Sequence, residues 1–398
     1  MRLGVYTDLV FRRTDAGLAT DRAYVRFVLG LADRLDELVV FGRLAPEQKG
    51  ASGSEPQTPP APYLICPRPR VRCVTLPHYE TLSDPVAVGR AVRGAWAAFR
   101  RELDSLDAVW IFGPHPLGLA FVASARRHGT PVVLCVRQDL PEYVGSRIRG
   151  AKRPAALATA HGLERSFRLL ARRLPTVVVG PALERAYAAG SAPVLPIRFS
   201  QVAADDLAHP DEAAARAWEP PLRLLSVGRL DPEKNPLLLA DVLASLRRDG
   251  RDWRLQVVGT GPLEDALAGR ATALGLGDAL ELVGYVEAGP ELWERYRTSH
   301  AFLHVSRTEG FPSTILEAQA AGLPLVATAV GGVPDAVAGA GLLVPPDDAE
   351  AAVAALHRLA DEPGLRERLV REGLAQAATG TRERELDRLA AFLADAAR

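Results

Sequence analysis

The chain has 398 residues, so we expect two or three domains rather than one. With 48% hydrophobic and 24% charged residues, the composition excludes a disordered, collagen-like or disulfide-scaffold protein. Basic and acidic residues both number 48, so the overall charge gives no signal for nucleic-acid binding. That neutrality is a cancellation: residues 1–196 carry 27 basic and 17 acidic side chains (+10), and residues 197–398 carry 21 and 31 (−10).

The cysteines and the apolar runs indicate in which cellular compartment the protein is expected. Cys66, Cys73 and Cys135 are odd in number and form no C-x-x-C pair, so we expect neither a disulfide framework nor a zinc site. The N-terminus lacks the pattern of a leader peptide, and no apolar run approaches the length of a membrane span. A cytoplasmic protein in a reducing compartment is expected.

Short β-branched runs alternate with helical stretches along nearly the whole chain. The first set of predicted strands is Arg2–Thr7, Leu38–Gly42, Tyr63–Cys66, Ala108–Phe112, Pro131–Val136 and Thr176–Val179. The second set is Leu222–Val227, Arg254–Val258, Leu280–Val283, Ala301–Val305, Leu325–Ala327 and Gly341–Val344. Strands that alternate with helices predict parallel sheets, so the two sets predict an α/β protein with two doubly wound, Rossmann-like domains.

The boundary between the two sets is polar, acidic and alanine-rich. It predicts an N-terminal domain over 1–198, a linker over 199–221 and a C-terminal domain over 222–379. A Pro/Gly/Ser-rich stretch over 45–62 predicts a mobile surface loop. After Pro345 the pattern is helical, and Glu362–Arg398 is expected to form two amphipathic helices.

Several common catalytic motifs are absent from the sequence. No lysine follows a glycine, so there is no P-loop, and H-E-x-x-H, G-x-S-x-G and D-x-D are missing as well. Gly259-Thr260-Gly261 follows a strand but lacks the third glycine of a dinucleotide fingerprint. These absences disfavour P-loop NTPases, zincins, α/β-hydrolases, D-x-D sugar transferases and nicotinamide enzymes.

The first positive signal is SVGRLDPEKNP, directly after a predicted strand. Gly228 ends the strand, and Arg229 and Lys234 emerge from the loop that starts the next helix. Two cations at the carboxyl end of a strand suit a diphosphate, because open α/β sheets bind ligands there. Taken alone, the motif is equally typical of a surface arginine and a solvated lysine.

The second signal is SRTEGFPSTILEAQAAGLP, a strand end, a loop and a helix. Ser313 is the predicted N-cap, Glu309 lies in the loop and Glu317 in the first helical turns. The amides of Ser313, Thr314 and Ile315 would point at an anion, and the two carboxylates suit hydroxyl groups. The order matches a sugar, a diphosphate and a ribose, although solvated glutamates would give the same pattern.

In this order and spacing, the motifs resemble those of the family 4 retaining glycosyltransferases of GT-B fold. The resemblance covers about Leu224–Asp335 and includes VVGTGPLEDAL, LVGYV and AAGLPLVATAVGGVPD. It implies two Rossmann-like domains whose parallel sheets face each other across a cleft. The first would bind the acceptor and the second a nucleotide sugar, and a last helix, about 380–398, would pack back on the first.

The resemblance also implies residue roles. Arg229 and Lys234 would hold the donor diphosphate, Glu309 the donor sugar and Glu317 the ribose. The loop and helix start would meet sugar and phosphate through Gly310, Phe311, Pro312, Ser313, Thr314 and Ile315. The remaining donor-binding positions, most of them bordering the nucleobase, would be Gly228, Gly259, Gly261, Pro262, Tyr285 and Val286.

The N-terminal half departs from the family pattern. Where members carry a Gly-Gly pair after strand one, RRTDAGLATDR offers only Gly17 as a donor-binding glycine. His115 in IFGPHPLG is the counterpart of a loop histidine that contacts sugar or acceptor, although it could equally cap its loop. Arg137-Gln138-Asp139 replaces the usual His-Asp, and PIRFSQ replaces Asn-Gly-x-Asp near the linker. Because these departures lie in the half that would bind the acceptor, they make the acceptor harder to predict than the reaction.

The expected function is retaining transfer of a hexose from a nucleotide-diphosphate sugar to a hydroxyl group. UDP-sugars are favoured because they are the commonest donors in the family. Arg229, Lys234 and the helix end would stabilise the leaving diphosphate, so no metal is required. The acceptor would be a sugar, a lipid-linked sugar or a small molecule, in cell-envelope glycan or natural-product biosynthesis. A GT-B nucleotide-sugar epimerase and a non-catalytic sugar-nucleotide-binding protein are the alternatives.

The basic segment over 147–173 has two possible interpretations. It holds eight basic residues and one acid, Glu164, and Leu163, Phe167 and Leu170 recur at helical spacing. A membrane-surface helix would bring the enzyme to a lipid-linked acceptor. A core-packed helix with a solvated basic face is the simpler reading and is favoured. The basic N-terminal half predicts an anionic acceptor, a membrane surface or electrostatic help in closing the cleft.

Overall fold

The structure is a computed structural model that describes residues 1–46, 63–79, 85–148 and 150–398. The chain divides into two compact units. The first unit is Met1–Phe199 with Glu385–Arg398, and the second unit is Ser200–Arg384. The C-terminal segment therefore belongs to the first unit. Most of the predicted mobile loop, residues 47–62, lies outside the described residues.

The first unit contains these strands among its described residues: β1 (Arg2–Thr14), β2 (Gly17–Thr20), β3 (Glu37–Leu44), β4 (Tyr63–Cys66), β5 (Val71–Leu76), β6 (Ala108–Gly113), β7 (Val132–Val136), β8 (Thr176–Val179) and β9 (Val194–Ile197). Its helices are α1 (Val25–Leu29), α2 (Pro85–Leu103), α3 (Pro116–His128), α4 (Leu140–Arg147), α5 (Arg153–Ala171), α6 (Pro181–Tyr187) and, at the end of the chain, α15 (Arg382–Ala396), which begins in the second unit.

The parallel strands of the first unit are ordered β5-β3-β1-β6-β7-β8-β9. The predicted strands are present, but β2, β5 and β9 were not predicted. β1 runs on past its predicted end at Thr7, because Leu9 and Phe11 are buried, and turns back into β2 as a hairpin. β4 pairs antiparallel with β2, so the expectation that it joins a parallel sheet is wrong.

The expectation of no disulfide is also wrong, because Cys66 and Cys73 are joined. Cys66 ends β4 and Cys73 lies in β5, and the chain between them turns back through an Arg68–Val71 bridge. A turn of this length brings the two ends together without a C-x-x-C spacing. Cys135 in β7 is a free, buried cysteine.

The second unit contains a sheet of parallel strands in the order β12-β11-β10-β13-β14-β15. The strands are β10 (Leu222–Val227), β11 (Trp253–Val258), β12 (Leu280–Gly284), β13 (Ala301–His304), β14 (Leu325–Thr328) and β15 (Leu342–Val344). The helices are α7 (Pro210–Ala214), α8 (Pro236–Leu246), α9 (Glu264–Ala273), α10 (Pro290–Thr298), α11 (Ser313–Ala320), α12 (Val333–Val337), α13 (Ala349–Asp361) and α14 (Pro363–Thr379). The α/β class with two parallel sheets is confirmed.

Residues 200–221, expected to be a linker, belong to the second unit. The amide of Ala208 donates to the carbonyl of Ala320 at 2.8 Å. Ala213 of α7 is buried against Val370 and Leu374 of α14. The alanines that give this stretch its linker-like composition are the small side chains that let it pack closely on α14.

No helix among the described residues is long and apolar enough to cross a membrane.

Candidate functional site

The predicted donor motifs converge at one place in the second unit. β10 and β13 are neighbours at the middle of the sheet, and the chain proceeds from β10 towards β12 on one side and from β13 towards β15 on the other. The loops that follow β10 and β13 therefore diverge and leave a crevice, which is where open α/β sheets bind ligands. The loop 228–235 and the loop 305–312 both lie there.

The centre of this site is an ion pair between Lys234 and Glu309. Lys234 ends a short 3-10 turn (Pro232–Lys234) after β10, and Glu309 lies in the loop after β13. The Glu309 side chain is only 8% exposed. The two residues are 75 positions apart in the sequence and meet because their strands are neighbours.

Glu309 is held ionised. Burial disfavours its charge, but Lys234 and His304 outweigh burial and lower its pKa to about 2. Its Oε1 accepts from the Ser306 hydroxyl at 2.8 Å, and His304 Nε2 lies 3.1 Å away, outside hydrogen-bonding direction. Oε2 has no partner among the described residues, so one oxygen is available for a ligand hydroxyl. His304 and Ser306 were not predicted.

Arg229 lies in the same loop with its side chain 55% exposed. Its guanidinium pairs with Asp231 and, at 3.4 Å, with Glu233. Both acids belong to its own loop, so the arginine is held near the crevice while much of it faces solvent. Its predicted contact with a diphosphate stays a prediction.

A network that was not predicted ties the two loops together. The Arg307 amide donates to the Glu233 carbonyl at 2.8 Å. The Arg307 Nε and the Asn235 side chain both donate to Asp347 Oδ1, at 2.8 and 2.9 Å. The hydrogen bond from Arg307 is the main cause of a lowered pKa at Asp347. The partners are distant in sequence, so no local pattern revealed them.

Helix α11 starts one residue earlier than expected. Pro312 is the N-cap and Ser313 the first helical residue, so the prediction of Ser313 as N-cap is wrong. Pro312 can occupy this position because its backbone is extended there. The Ile315 amide donates to the Pro312 carbonyl at 3.3 Å, and its predicted contact with a donor stays a prediction. The Ser313 and Thr314 amides have no acceptor among the described residues.

Glu317 lies within α11, as predicted, and is oriented by a neighbouring helix. The hydroxyl of Tyr296 in α10 donates to Glu317 Oε2 at 2.8 Å. Burial, followed by the Glu317 charge, raises the pKa of Tyr296, so this tyrosine remains a donor. Tyr296 is a positioning residue that the sequence did not identify.

The glycines after β11 have a packing role. A Cβ at Gly259 would lie 1.9 Å from the Gly228 carbonyl oxygen, and one at Gly261 would lie 2.7 Å from the Leu230 backbone. Gly228 itself has open space around its Cα. Close packing of two loops thus explains Gly259 and Gly261 without a nucleobase. Pro262 is exposed beside them.

The remaining predicted donor contacts lie around the same edge of the sheet. Tyr285 is exposed after β12, while Val286 packs partly against the core beside α10. Gly310 and Phe311 lie in the loop before α11, and Phe311 packs against the core. Their contacts with a donor stay predictions.

A glycine pair that was quoted only as part of a motif supports the Glu309 loop. A Cβ at Gly331, where φ is +49°, would lie 1.9 Å from the Glu309 carbonyl oxygen. A Cβ at Gly332 would lie 1.9 Å from the Gly310 carbonyl oxygen. The consecutive glycines Gly331 and Gly332 were the sequence feature that could have indicated this contact.

His115 lies in the first unit and caps α3. Its Nδ1 accepts from the Leu117 amide at 3.2 Å and contacts the Tyr6 hydroxyl at 2.9 Å, and its Nε2 lies 2.7 Å from the Tyr79 hydroxyl. Burial is the main cause of its lowered pKa, which keeps the imidazole neutral. The structure shows the capping alternative, and contact with a substrate stays a prediction.

Gly17 does not lie in a loop that leads into a helix. It opens β2 opposite Thr14, with φ at +131°. A Cβ would lie 2.0 Å from the Cys66 carbonyl oxygen. The hairpin and the neighbouring β4 explain this glycine, and its predicted contact with the donor stays a prediction.

The basic segment forms the end of α4 and all of α5, except that Arg149 lies outside the described residues. Phe167 is fully buried and Leu163 and Leu170 are partly buried, as the core-packed reading requires. Arg168 bonds both acids nearby, Glu164 at 2.9 Å and Asp139 at 3.2 Å. The remaining arginines of α5 leave a basic surface.

The two parallel-sheet units, with charged loops at the switch point of the second, define the fold class of GT-B glycosyltransferases. Residues 211–376 match the model of the family described as "Glycosyl transferases group 1". The matched segment lies within the second unit and makes up less than half of the chain.

Individual proteins are similar to this chain in part of the sequence or in fold. The D-inositol 3-phosphate glycosyltransferase of Actinosynnema mirum is 38% identical over 167 residues, which are 39% of this chain and 40% of the relative. The alignment thus spans less than half of the curated relative. A sucrose-phosphate synthase from Thermosynechococcus elongatus has a TM-score of 0.70 at 18% identity, covering 99% of this chain and 98% of its own. Anabaena Alr3699/HepE in complex with UDP has a TM-score of 0.68 at 15% identity, and the match covers 99% of this chain and 100% of the Anabaena chain.

Proposed function

We propose that the protein is a family 4 glycosyltransferase that moves a hexose, with retention, from a nucleotide-diphosphate sugar to an acceptor hydroxyl. The observation that carries this proposal is the Lys234–Glu309 pair at the switch point of the second sheet. It places a cation for the leaving diphosphate beside a carboxylate with one oxygen available for sugar hydroxyls. The match of residues 211–376 to a glycosyltransferase family supports the same reaction.

The chemistry follows from how charge develops. When the bond between the anomeric carbon and the diphosphate breaks, negative charge accumulates on the leaving oxygen. Lys234, the exposed Arg229 and the free amides of Ser313 and Thr314 provide positive charge in the same crevice. The acceptor hydroxyl attacks on the same face and gives its proton to the departing phosphate. These residues supply the charge that a metal ion would supply, so we propose metal-independent transfer.

UDP-sugars are the proposed donors. A protein of the same fold, Anabaena Alr3699/HepE, has been solved in complex with UDP and glucose, which supports this choice. The acceptor is proposed to carry an anionic group. Residues 1–196 have a net charge of +10, and a relative that matches 39% of this chain is named D-inositol 3-phosphate glycosyltransferase.

The test is to incubate the protein with UDP-glucose, UDP-N-acetylglucosamine or GDP-mannose and with D-inositol 3-phosphate or glucose 6-phosphate, in buffer containing EDTA. We expect transfer from a UDP-sugar, with the anomeric configuration of the donor kept in the product by NMR. An inverted product or loss of activity in EDTA would contradict the mechanism. A new epimer without transfer would identify an epimerase, and binding without turnover a binding protein.

We also propose that the basic surface of α5 brings the protein to anionic membranes in the cytoplasm. A pocket of about 680 Å³ beside this helix is lined by Arg165, Arg168 and Arg172 and by the acids Asp139 and Glu164. Both acids pair with Arg168, which leaves Arg165 and Arg172 to carry the positive charge of this surface. Charge of this density attracts anionic headgroups. Flotation tests this membrane binding by comparing vesicles of phosphatidylcholine and phosphatidylglycerol with vesicles of phosphatidylcholine alone. Equal recovery of the protein with both kinds of vesicle would refute the proposal.

A further inference from the structure

We propose that Asp8, fixed by Arg43, binds a hydroxyl group of the acceptor at the carboxyl end of the parallel sheet in the first unit. The inference rests on the proposed transfer function and concerns its acceptor side. It concerns hydrogen bonding only, and no bond is made or broken at Asp8.

The position of Asp8 is that of a ligand-binding residue. In the first unit β1 lies between β3 and β6, and the chain continues from β3 to β5 on one side and from β6 to β9 on the other. This is the switch point of the first sheet. Asp8 follows the last residue of β1 that pairs with β6, Tyr6, within a register shift between Tyr6 and Val10. Such irregularities redirect side chains and are common next to active sites.

Arg43 holds the Asp8 carboxylate in place. Arg43 is buried in β3, with Nη2 2.9 Å from Asp8 Oδ1 and Nη1 donating to the Tyr79 carbonyl at 2.6 Å. Its guanidinium also lies over the Tyr79 ring, 4.2 Å from the centroid. Because an ion pair with one solvent-exposed partner contributes little net stability, we assign this one to orienting the carboxylate.

His115 approaches the same oxygen with a defined tautomer. Nδ1 accepts a hydrogen bond from the Leu117 amide, so in the neutral ring the proton is on Nε2. Nε2 lies 2.7 Å from the Tyr79 hydroxyl and 3.5 Å from Asp8 Oδ1. The Nε2–H group is engaged by the Tyr79 hydroxyl, so Arg43 is the group that holds Asp8 Oδ1, and His115 lies beside it.

The other carboxylate oxygen is available. Oδ1 faces both Arg43 and His115, whereas Oδ2 has no partner within the described part of the chain. The Asp8 side chain is 41% exposed, so a ligand can reach it. A carboxylate only accepts hydrogen bonds, which selects a hydroxyl and disfavours a phosphate. Any anionic group of the acceptor would therefore bind elsewhere on the unit.

Two variants and a matched control test the inference. Asp8→Asn removes the charge, while Asp8→Glu keeps a charge for Arg43 but displaces the oxygens by one methylene. The control is Asp107→Asn at the opposite edge of the sheet, where Asp107 is 43% exposed and lies 3.4 Å from Arg2. The probes are UDP-glucose with D-inositol 3-phosphate and with glucose 6-phosphate, followed by turnover and by calorimetric titration.

For both Asp8 variants we expect KM and Kd for the sugar phosphate to rise about 10- to 100-fold, the range for a hydrogen bond to a charged group. The KM for UDP-glucose and its hydrolysis without acceptor should stay within twofold of wild type, as should all values for Asp107→Asn. If Asp8 only balanced Arg43, Asp8→Glu would keep wild-type acceptor affinity.

Unchanged acceptor KM and Kd in the Asp8 variants, or equal effects in Asp107→Asn, would overturn this inference while the transfer function stands. A wild-type protein that neither binds nor glycosylates the sugar phosphates, and transfers from no donor, would overturn the proposed function and this inference with it.

Discussion

Replacing Lys234 by methionine removes the main charge that holds Glu309 ionised. The change keeps most of the side-chain length, and Glu309 stays buried beside Ser306 and His304. In the wild type burial opposes the charge, yet Lys234 and His304 lower the pKa of Glu309 from 4.5 to about 2. This difference corresponds to about 3 kcal/mol in favour of the charged form, because one pKa unit is about 1.4 kcal/mol.

We expect Lys234→Met to lower the free energy of unfolding by about 3 kcal/mol at neutral pH, since it leaves a buried charge unpaired. The effect has a definite pH dependence. In the wild type the lowered pKa of Glu309 contributes stability above pH 4.5 that is lost as the pH falls towards about 2. In the variant the pKa rises, and Glu309 takes up a proton at a higher pH. The gap in stability between the two proteins should therefore narrow on acidification.

Urea unfolding followed by tryptophan fluorescence, repeated from about pH 7 to about pH 4, measures this gap. Turnover with a UDP-sugar should fall about 100- to 1,000-fold in the variant, the usual effect of removing one group that stabilises developing charge. Lys152→Met is the control, because Lys152 is an exposed lysine before α5 in the first unit. A gap that stays constant with pH, or equal losses in Lys152→Met, would refute the reasoning.

Two further changes address residues that position the site. Tyr296→Phe removes the 2.8 Å hydrogen bond to Glu317 and should raise the donor KM about fivefold, because such a bond contributes about 1 kcal/mol. The control is Tyr187→Phe, which loses a 2.8 Å hydrogen bond to Glu164 in the first unit and should leave the donor KM unchanged. Equal changes in donor KM in the two variants would count against the role of Tyr296 in orienting Glu317. Gly331→Ala places a Cβ 1.9 Å from the Glu309 carbonyl oxygen and should lower stability by about 3 kcal/mol. Gly269→Ala in α9, with open space around it, should gain up to about 1 kcal/mol, and thermal unfolding that shows no difference between the two would contradict the packing role.

The alternation of strands and helices was sufficient to predict the parallel sheets. Both sheets follow from runs such as Leu222–Val227, in which the neighbouring Leu224 and Leu225 are buried on opposite faces of the strand. The strands that were missed lack such a run. β5, for example, holds only partly buried side chains before Leu76, and β2 is defined by its hairpin contacts rather than by its four residues. Long-range pairing determines these strands, so their own sequence is not enough.

The residues of the candidate site in the second unit could be singled out from the sequence because their motifs are local. Glu309, Ser313 and Glu317 belong to one loop and helix, and Lys234 to one turn. Their partners Tyr296, His304 and Asp347 reach them through the fold from other elements. On the acceptor side, Asp8 is an isolated acid in an apolar strand, and only the register shift at β1 reveals its position.

Helix α15 has a consequence for synthesis of the chain. Leu386, Leu389 and Leu393 are buried in the same core cluster as Val28 and Leu31, and a Cβ at Gly30 would lie 2.7 Å from Leu386. On a ribosome, where domains fold as they emerge, the second unit is complete as soon as residue 384 has left the exit tunnel. Most of the first unit is synthesised before the second. Part of its apolar core stays uncovered until residues 385–398 have been synthesised.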